Sequence, residues 1–178
     1  MASKALFITA NELKKKSIIQ GNVDDDKLVQ YIEVAQDTHV QNYLGTNLYN
    51  KIQALIIAFD ADSATGMGDA TNSAYNTLWR SYIKPMHIWY AQVSFLPFAM
   101  FQISNGGVYK HRSETGETIT LEEMRSMLDN ARANAEFYTT RLIDYLCDNE
   151  TSFPEYITTS TDADMWPDKD TNYGGWVL

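Results

Sequence analysis

Residues 120–146, "TLEEMRSMLDNARANAEFYTTRLIDYL", carry the clearest helix signal in the chain and decide its fold class. Thr120 and Glu123 have the spacing of a capping box, in which each residue satisfies an amide donor at the start of a helix. Apolar and small residues then recur at steps of four and three, on one helix face: Met124, Leu128, Ala131, Ala135, Tyr138, Leu142 and Tyr145. This pattern predicts a long closing helix that packs closely against a neighbour.

The first third of the chain repeats the same kind of signal. Thr9 and Glu12 form a second possible capping box for a short helix. One stripe then follows at helical spacing: Leu28, Ile32, Ala35, His39 and Tyr43. Gly45 is expected to end that helix, and Thr46 or Asn47 to open the next.

The most apolar stretch, residues 73–105, is predicted to be the helix around which the others pack. Pro85 and Pro97 each remove a helical hydrogen bond, so we expect a kink or break at both. Residues 86–103 approach the length of a membrane span, but polar residues interrupt the apolar run. We therefore expect a bundle helix and no membrane contact.

A β-hairpin is predicted at about residues 107–120, inserted between two bundle helices. "VYKHR" and "ETITL" are β-branched and aromatic runs, and "SETG" between them ends in the glycine favoured in four-residue turns. Tyr109, Lys110, His111 and Arg112 are expected to make intersubunit or channel contacts. The alternative is a solvated hairpin tip.

The pattern changes after Asn149, which predicts a bundle domain at 1–149 and an extended C-terminal docking tail at 150–178. The tail has no helical period, yet it contains many large apolar side chains. These are Phe153, Tyr156, Trp166, Tyr173, Trp176 and Leu178. Because so much apolar surface needs cover, we expect the tail to dock on a different chain. In the alternative interpretation it folds back over its own bundle.

Composition limits the function further. The chain has 178 residues, of which 44% are hydrophobic, enough for one sizeable core. Its 14 Lys+Arg and 23 Asp+Glu give a net charge of −9, which opposes general nucleic-acid binding but permits DNA to slide past. Cys147 is the only cysteine, so an intrachain disulfide is excluded. The first residues lack the apolar run of a signal peptide, which predicts a cytoplasm-like compartment.

No catalytic motif is found. The histidines, His39, His87 and His111, lie on three different predicted elements without a short-range metal-ligand pair. No serine has the glycine pattern of a nucleophile elbow. We therefore expect no catalytic residues, no cofactor and no metal, although an enzyme whose site is assembled by tertiary structure stays an alternative.

The order of these elements resembles the head-to-tail connector proteins (adaptor or ring proteins) of tailed bacteriophages. The resemblance covers roughly residues 6–147 and is carried by two stretches. They are "FITANELKKKSIIQGNVDDDKLVQYIEVAQDTHVQNYLGTNLYNKI" and "LWRSYIKPMHIWYAQVSFLPFAMFQISNGGVYK", followed by the hairpin and the closing helix. The sequence looks most like versions from phages of gut Bacteroidales, such as the crAss-like group.

The resemblance implies a ring, typically of twelve copies, in the virion neck between portal and tail. Its partners would be other copies of the chain, the portal protein, the next connector or tail protein, and DNA that passes without specific binding. The protein would be made in the cytoplasm of the host bacterium. The alternative is a small helical protein-binding or regulatory module that acts as a monomer or dimer.

Overall fold

The computed structural model of the chain describes residues 4–19, 23–99, 101–104, 107–110, 120–157 and 165–170, with the backbone alone at 101–104 and 107–110. Its helices are α1 (Ala10–Lys16), α2 (Asp25–Ala35), α3 (Gln41–Ala61), α4 (Ser73–Leu78), α5 (Lys84–Ala99), α6 (Leu121–Asp148) and α7 (Pro154–Ile157). Two π turns, Gln36–Val40 and Trp79–Ile83, continue α2 into α3 and α4 into α5. Short 3₁₀ turns lie at Gly66–Gly68, Ala70–Asn72 and Glu150–Ser152. The predicted mainly α-helical bundle is confirmed.

Both predicted capping boxes are present. The Glu12 amide donates to Thr9 Oγ1 at 3.2 Å, and the Thr9 amide donates back to the Glu12 carboxylate at 3.1 Å. At the start of α6, Glu123 and Thr120 exchange the same two bonds at 3.2 and 2.8 Å. Each pair satisfies amide donors that have no partner within the first helical turn.

Helix α5 lies at the centre and packs along α6 and against α2. Two contacts fix α6 as the antiparallel neighbour of α5 and of the π turn that precedes α5. Tyr82 stacks on Tyr145 with ring centroids 4.0 Å apart, and Thr139 Oγ1 lies 3.2 Å from the Tyr90 hydroxyl. The predicted seam is buried at Ala131, Ala135 and Leu142, so small residues do bring the helices together there.

Of the kink or break expected at Pro85, the break is wrong, because the chain stays helical through this residue. The π turn Trp79–Ile83 comes immediately before, and the Lys84 amide donates to the Trp79 carbonyl five residues back. This wider turn accommodates a proline that cannot donate a hydrogen bond. Pro97 lies inside α5, two residues before the helix ends at Ala99.

The predicted hairpin at about 107–120 is not supported. Instead, β2 (Gly107–Lys110) pairs antiparallel with the preceding β1 (Phe101–Ser104). Only Asn105 and Gly106 separate the paired Ser104 and Gly107, and Asn-Gly is a favoured sequence for a two-residue connection. Residues 111–119 lie outside the described part of the chain.

Candidate interaction site

The residues predicted to contact other subunits fall into three groups. Tyr109 and Lys110 belong to β2, while His111 and Arg112 lie outside the described residues. The expected intersubunit or channel contacts of these four therefore stay a prediction.

Phe153 and Tyr156 are buried in the chain's own core, at 0% and 2% exposure. Phe153 contacts the Tyr75 ring edge-on at 5.3 Å, and the Tyr75 hydroxyl donates to Glu155 at 2.7 Å. This corrects the prediction that Phe153 and Tyr156 dock on another chain, because the core already covers both side chains. Residues 150–157 pack with the bundle and do not form part of an extended tail.

Among the predicted tail anchors that lie within the described residues, Trp166 is exposed, with 65% of its surface accessible. It lies in residues 165–170, which have no regular secondary structure and which we call the clasp segment. Tyr173 and Trp176, together with Leu178, lie outside the described residues. Trp166 therefore remains a candidate anchor for a partner.

The clasp segment binds where α3 is interrupted at Gly45. This residue has φ 70° and ψ 160°, which glycine adopts readily and other residues rarely do. In an uninterrupted helix the Thr46 amide would donate to the Asn42 carbonyl four residues back. The break leaves this donor and this acceptor open to another partner, and we call residues 42–46 the Gly45 notch.

The clasp segment supplies both missing partners. The Thr46 amide donates to the Met165 carbonyl at 3.0 Å, and the Asp168 amide donates to the Asn42 carbonyl at 2.9 Å. The Met165 amide also donates to Thr46 Oγ1 at 3.1 Å. The segment is therefore inserted into the helical hydrogen bond that Gly45 breaks.

Pro167 fills the space that a side chain at position 45 would occupy. A Cβ atom on Gly45 would lie 2.7 Å from Pro167 Cδ, well inside van der Waals contact. Beside the notch, Lys169 lies 3.7 Å from the Glu150 carboxylate and 4.6 Å from the centre of the Tyr156 ring. Glycine in the notch and proline in the clasp segment thus fit as a pair.

Two histidines pack against the bundle core, His87 fully buried and His39 half-buried. His87 is completely buried and its Nε2 lies 2.9 Å from the Ile32 carbonyl, so Nε2 carries the proton. Burial lowers the pKa of His87 to about 4. His39 stacks on Tyr90 with centroids 3.8 Å apart, and burial lowers its pKa as well. Both act as packed, neutral core residues at neutral pH.

Within the described residues, no group of three or more His, Cys, Asp or Glu side chains could hold a metal ion. Of the helices in the same ranges, none combines the length and the apolar character that a membrane span requires.

The fold and the notch define a helical bundle that holds a segment without regular secondary structure at a break in a helix. Residues 40–164 match the family described as "Family of unknown function (DUF6712)", and the chain belongs to this family. The matched stretch contains the Gly45 notch and ends one residue before the clasp segment. No curated protein and no solved structure matches the chain.

Sequence reasoning found one half of this site. Gly45 was predicted as a helix end, because a glycine between two apolar helical stripes is a frequent helix terminator. The pairing with Pro167 had no local signal, since the two residues are far apart in sequence. The one available hint was "MWPDKD", in which a proline lies in a stretch without a helical period.

Proposed function

We propose that this protein is a structural virion protein that forms a head-to-tail connector ring between portal and tail. In this role it extends the DNA channel and provides a docking surface for the next neck protein. It acts through assembly, as a homo-oligomer without catalytic residues or cofactor. The proposal rests on the resemblance of the element order to connector proteins, and on one feature of α6.

That feature is the N-terminal third of α6. From Leu121 to Asn130 no residue is buried, although the apolar seam of the helix continues through this stretch. Leu121 is 55% exposed, and Met124, Met127 and Leu128 are only partly buried. An apolar helix face that extends past its own bundle is typical of a surface that another subunit covers.

A second exposed apolar feature lies further along the same helix. Phe137 is 57% exposed, and the guanidinium of Arg141 lies 6.0 Å from its ring centre. The same guanidinium lies 5.6 Å from the centre of the Tyr82 ring on the neighbouring helical segment. Aromatic and arginine side chains are enriched at the centres of protein interfaces, so this patch also suits an assembling protein.

The acidic charge fits the proposed channel. A net charge of −9 repels a phosphate backbone, which favours passage of DNA over retention. The virion neck is then the expected location, reached after synthesis in the cytoplasm of the host bacterium. Contacts with the portal, the next connector or tail protein, and passing DNA are the expected interactions.

Solution mass tests the proposal. Light scattering is measured on the purified chain over a range of concentrations, alone and mixed with portal particles, and the larger species are imaged by electron microscopy. We expect closed rings, alone or on the portal. A chain that stays monomeric at every concentration and does not bind portal particles would contradict the proposal.

A pair of variants tests the role of α6. Met124→Gln with Leu128→Gln replaces apolar side chains on the exposed seam and should weaken assembly while preserving the helical spectrum. Ser126→Gln with Ala133→Gln changes exposed residues on the opposite face and serves as the matched control. Equal assembly of both variants would exclude this face from the interface.

The Gly45 notch favours a second candidate function, a helical module that binds a peptide as a monomer or dimer. The notch holds an extended segment through three hydrogen bonds, as a peptide-binding site would. In this case the measured mass would correspond to a monomer or dimer, with or without portal particles.

A further inference from the structure

We propose that the Gly45 notch is a recognition site for the clasp segment of a second copy, so that neighbouring subunits exchange residues 165–170 in the assembly. This inference rests on the self-association in the proposed function and names the receptor and ligand of one contact. The ligand is an extended segment with a proline that faces Gly45.

The first argument is that the notch recognises backbone. Two of the three hydrogen bonds join main-chain atoms of Asn42 and Thr46 to main-chain atoms of the clasp segment. The third uses the Thr46 hydroxyl. A second copy offers the same atoms, so the same bonds form whichever chain supplies the segment.

The second argument is that the fit is selective. Pro167 occupies the space beside Gly45, where a side chain on residue 45 would come within 2.7 Å of the ring. A proline has a fixed φ and little conformational freedom to lose, which suits an extended ligand. The notch therefore distinguishes this segment from an arbitrary stretch of chain.

The third argument is that the segment is held at the surface. Four of its six residues are exposed, Met165, Trp166, Lys169 and Asp170, and none is buried. These four residues therefore keep their contact with water when the segment leaves the notch, and the half-buried Pro167 and Asp168 are the ones whose surroundings change most. An exchange between copies conserves the contacts, and the exposed Trp166 then lies at the boundary between two subunits.

The chain between the bundle and the clasp segment limits how far apart two exchanging copies can lie. Seven residues, 158–164, separate Ile157 from Met165. Eight residue steps of at most about 3.5 Å span up to about 28 Å, so the exchange requires a neighbouring notch within that distance of Ile157.

Cysteine cross-linking distinguishes exchange from docking within one chain. In a Cys147→Ser background, one chain carries Asn42→Cys and another, mass-tagged chain carries Asp168→Cys. The hydrogen bond of 2.9 Å between these two backbones brings them within disulfide range. In the matched control, the first chain carries Asn50→Cys instead of Asn42→Cys. Asn50 is an exposed residue of the same helix and lies outside the notch.

We expect a disulfide between the two differently tagged chains, formed about tenfold more than with the Asn50→Cys control. Adding Gly45→Ala to the Asn42→Cys chain should remove it. The inference is overturned if a chain carrying both Asn42→Cys and Asp168→Cys forms only an intrachain disulfide, or if neither arrangement cross-links.

Light scattering on the same samples separates this inference from the proposed function. Rings with only intrachain disulfides would leave the proposed function standing and reject the exchange. A chain that stays monomeric under all these conditions would reject both.

Discussion

Two segments without regular secondary structure pack on the bundle, one before α1 and one after α7, and they are held in different ways. The N-terminal segment, residues 4–8, is fixed by side chains of the core. The Gln36 amide group is buried, accepts from the Phe7 amide at 2.8 Å and donates to the Ala5 carbonyl at 2.9 Å. The Trp79 indole donates to the Phe7 carbonyl at 3.0 Å. The clasp segment, in contrast, is held mainly by main-chain atoms at the surface.

The difference shows which segment the fold depends on. Removing a buried side-chain partner leaves donors and acceptors without water or protein to replace it. Releasing a surface segment lets water satisfy the same groups. The N-terminal segment is thus part of the core, and we expect the clasp segment to detach at a smaller cost in stability.

The largest effect is expected at Gln36. Gln36→Leu leaves the Phe7 amide and the Ala5 carbonyl without their buried partner, so the free energy of unfolding should fall by about 3 kcal/mol. Urea unfolding at pH 7 measures it. Gln53→Leu is the control, because it removes a different donor to the Tyr49 hydroxyl and keeps both bonds of Gln36 to the N-terminal segment. Equal losses in both variants would show that Gln36 does not fix this segment.

The second-largest effect is expected on acidification, which should lower the stability of the bundle through His87, next to the N-terminal segment. His87 faces the Phe7 ring edge-on at 6.5 Å, and its pKa is lowered to about 4. Between that pKa and the ordinary value near 6.5 the unfolded chain binds the proton and the folded chain does not. Stability is therefore lost as the pH falls, by about 2 kcal/mol between pH 7 and pH 5.

The histidine contribution is isolated by comparison with His87→Phe. Urea unfolding of both proteins from pH 7 to pH 5 should give a smaller decrease for the variant. His39, whose pKa burial also lowers, is present in both proteins and largely cancels in the comparison. Parallel curves would contradict the assignment of this pH dependence to His87.

At the clasp segment a smaller effect is expected. Gly45→Ala puts a side chain against Pro167 and strains the backbone at φ 70°. Because the segment can leave and relieve the contact, the loss should be about 1 kcal/mol, at the low end for a strained residue. Amide exchange of Thr46 and Asp168 should accelerate, while that of Phe7 stays slow. Unchanged protection of Asp168 would show that the segment does not depend on the notch.

The fold was predictable where the signals are local. The capping boxes at Thr9 and Thr120, the helix end at Gly45 and the seam of α6 all follow from residues within one or two turns of each other. The hairpin was misplaced because residues 101–104 continue an apolar helical pattern, which hid the Asn-Gly pair that follows them.

The candidate site was predictable only in part, because its two halves are distant in sequence. The bond between Met165 and Thr46 spans 119 residues, and no periodicity connects them. Phe153 and Tyr156 showed the limit of composition, since an aromatic residue in an irregular stretch can be an anchor for a partner or part of the chain's own core. Only tertiary packing distinguishes the two.

The smallest effect on stability is expected at Trp166. The Trp166→Ala variant therefore tests assembly without disturbing the fold. The side chain is 65% exposed, so Trp166→Ala should change the free energy of unfolding by less than about 0.5 kcal/mol. If Trp166 lies at a subunit boundary, its loss should still weaken assembly, because aromatic anchors contribute strongly to interfaces. Light scattering and urea unfolding are measured on the same samples, with Ile157→Ala, which changes an exposed apolar residue outside the clasp segment, as the control. If the Trp166→Ala chain assembles as strongly as the control, Trp166 does not lie in the interface. If it loses several kcal/mol of stability, the clasp segment belongs to the core, as the N-terminal segment does.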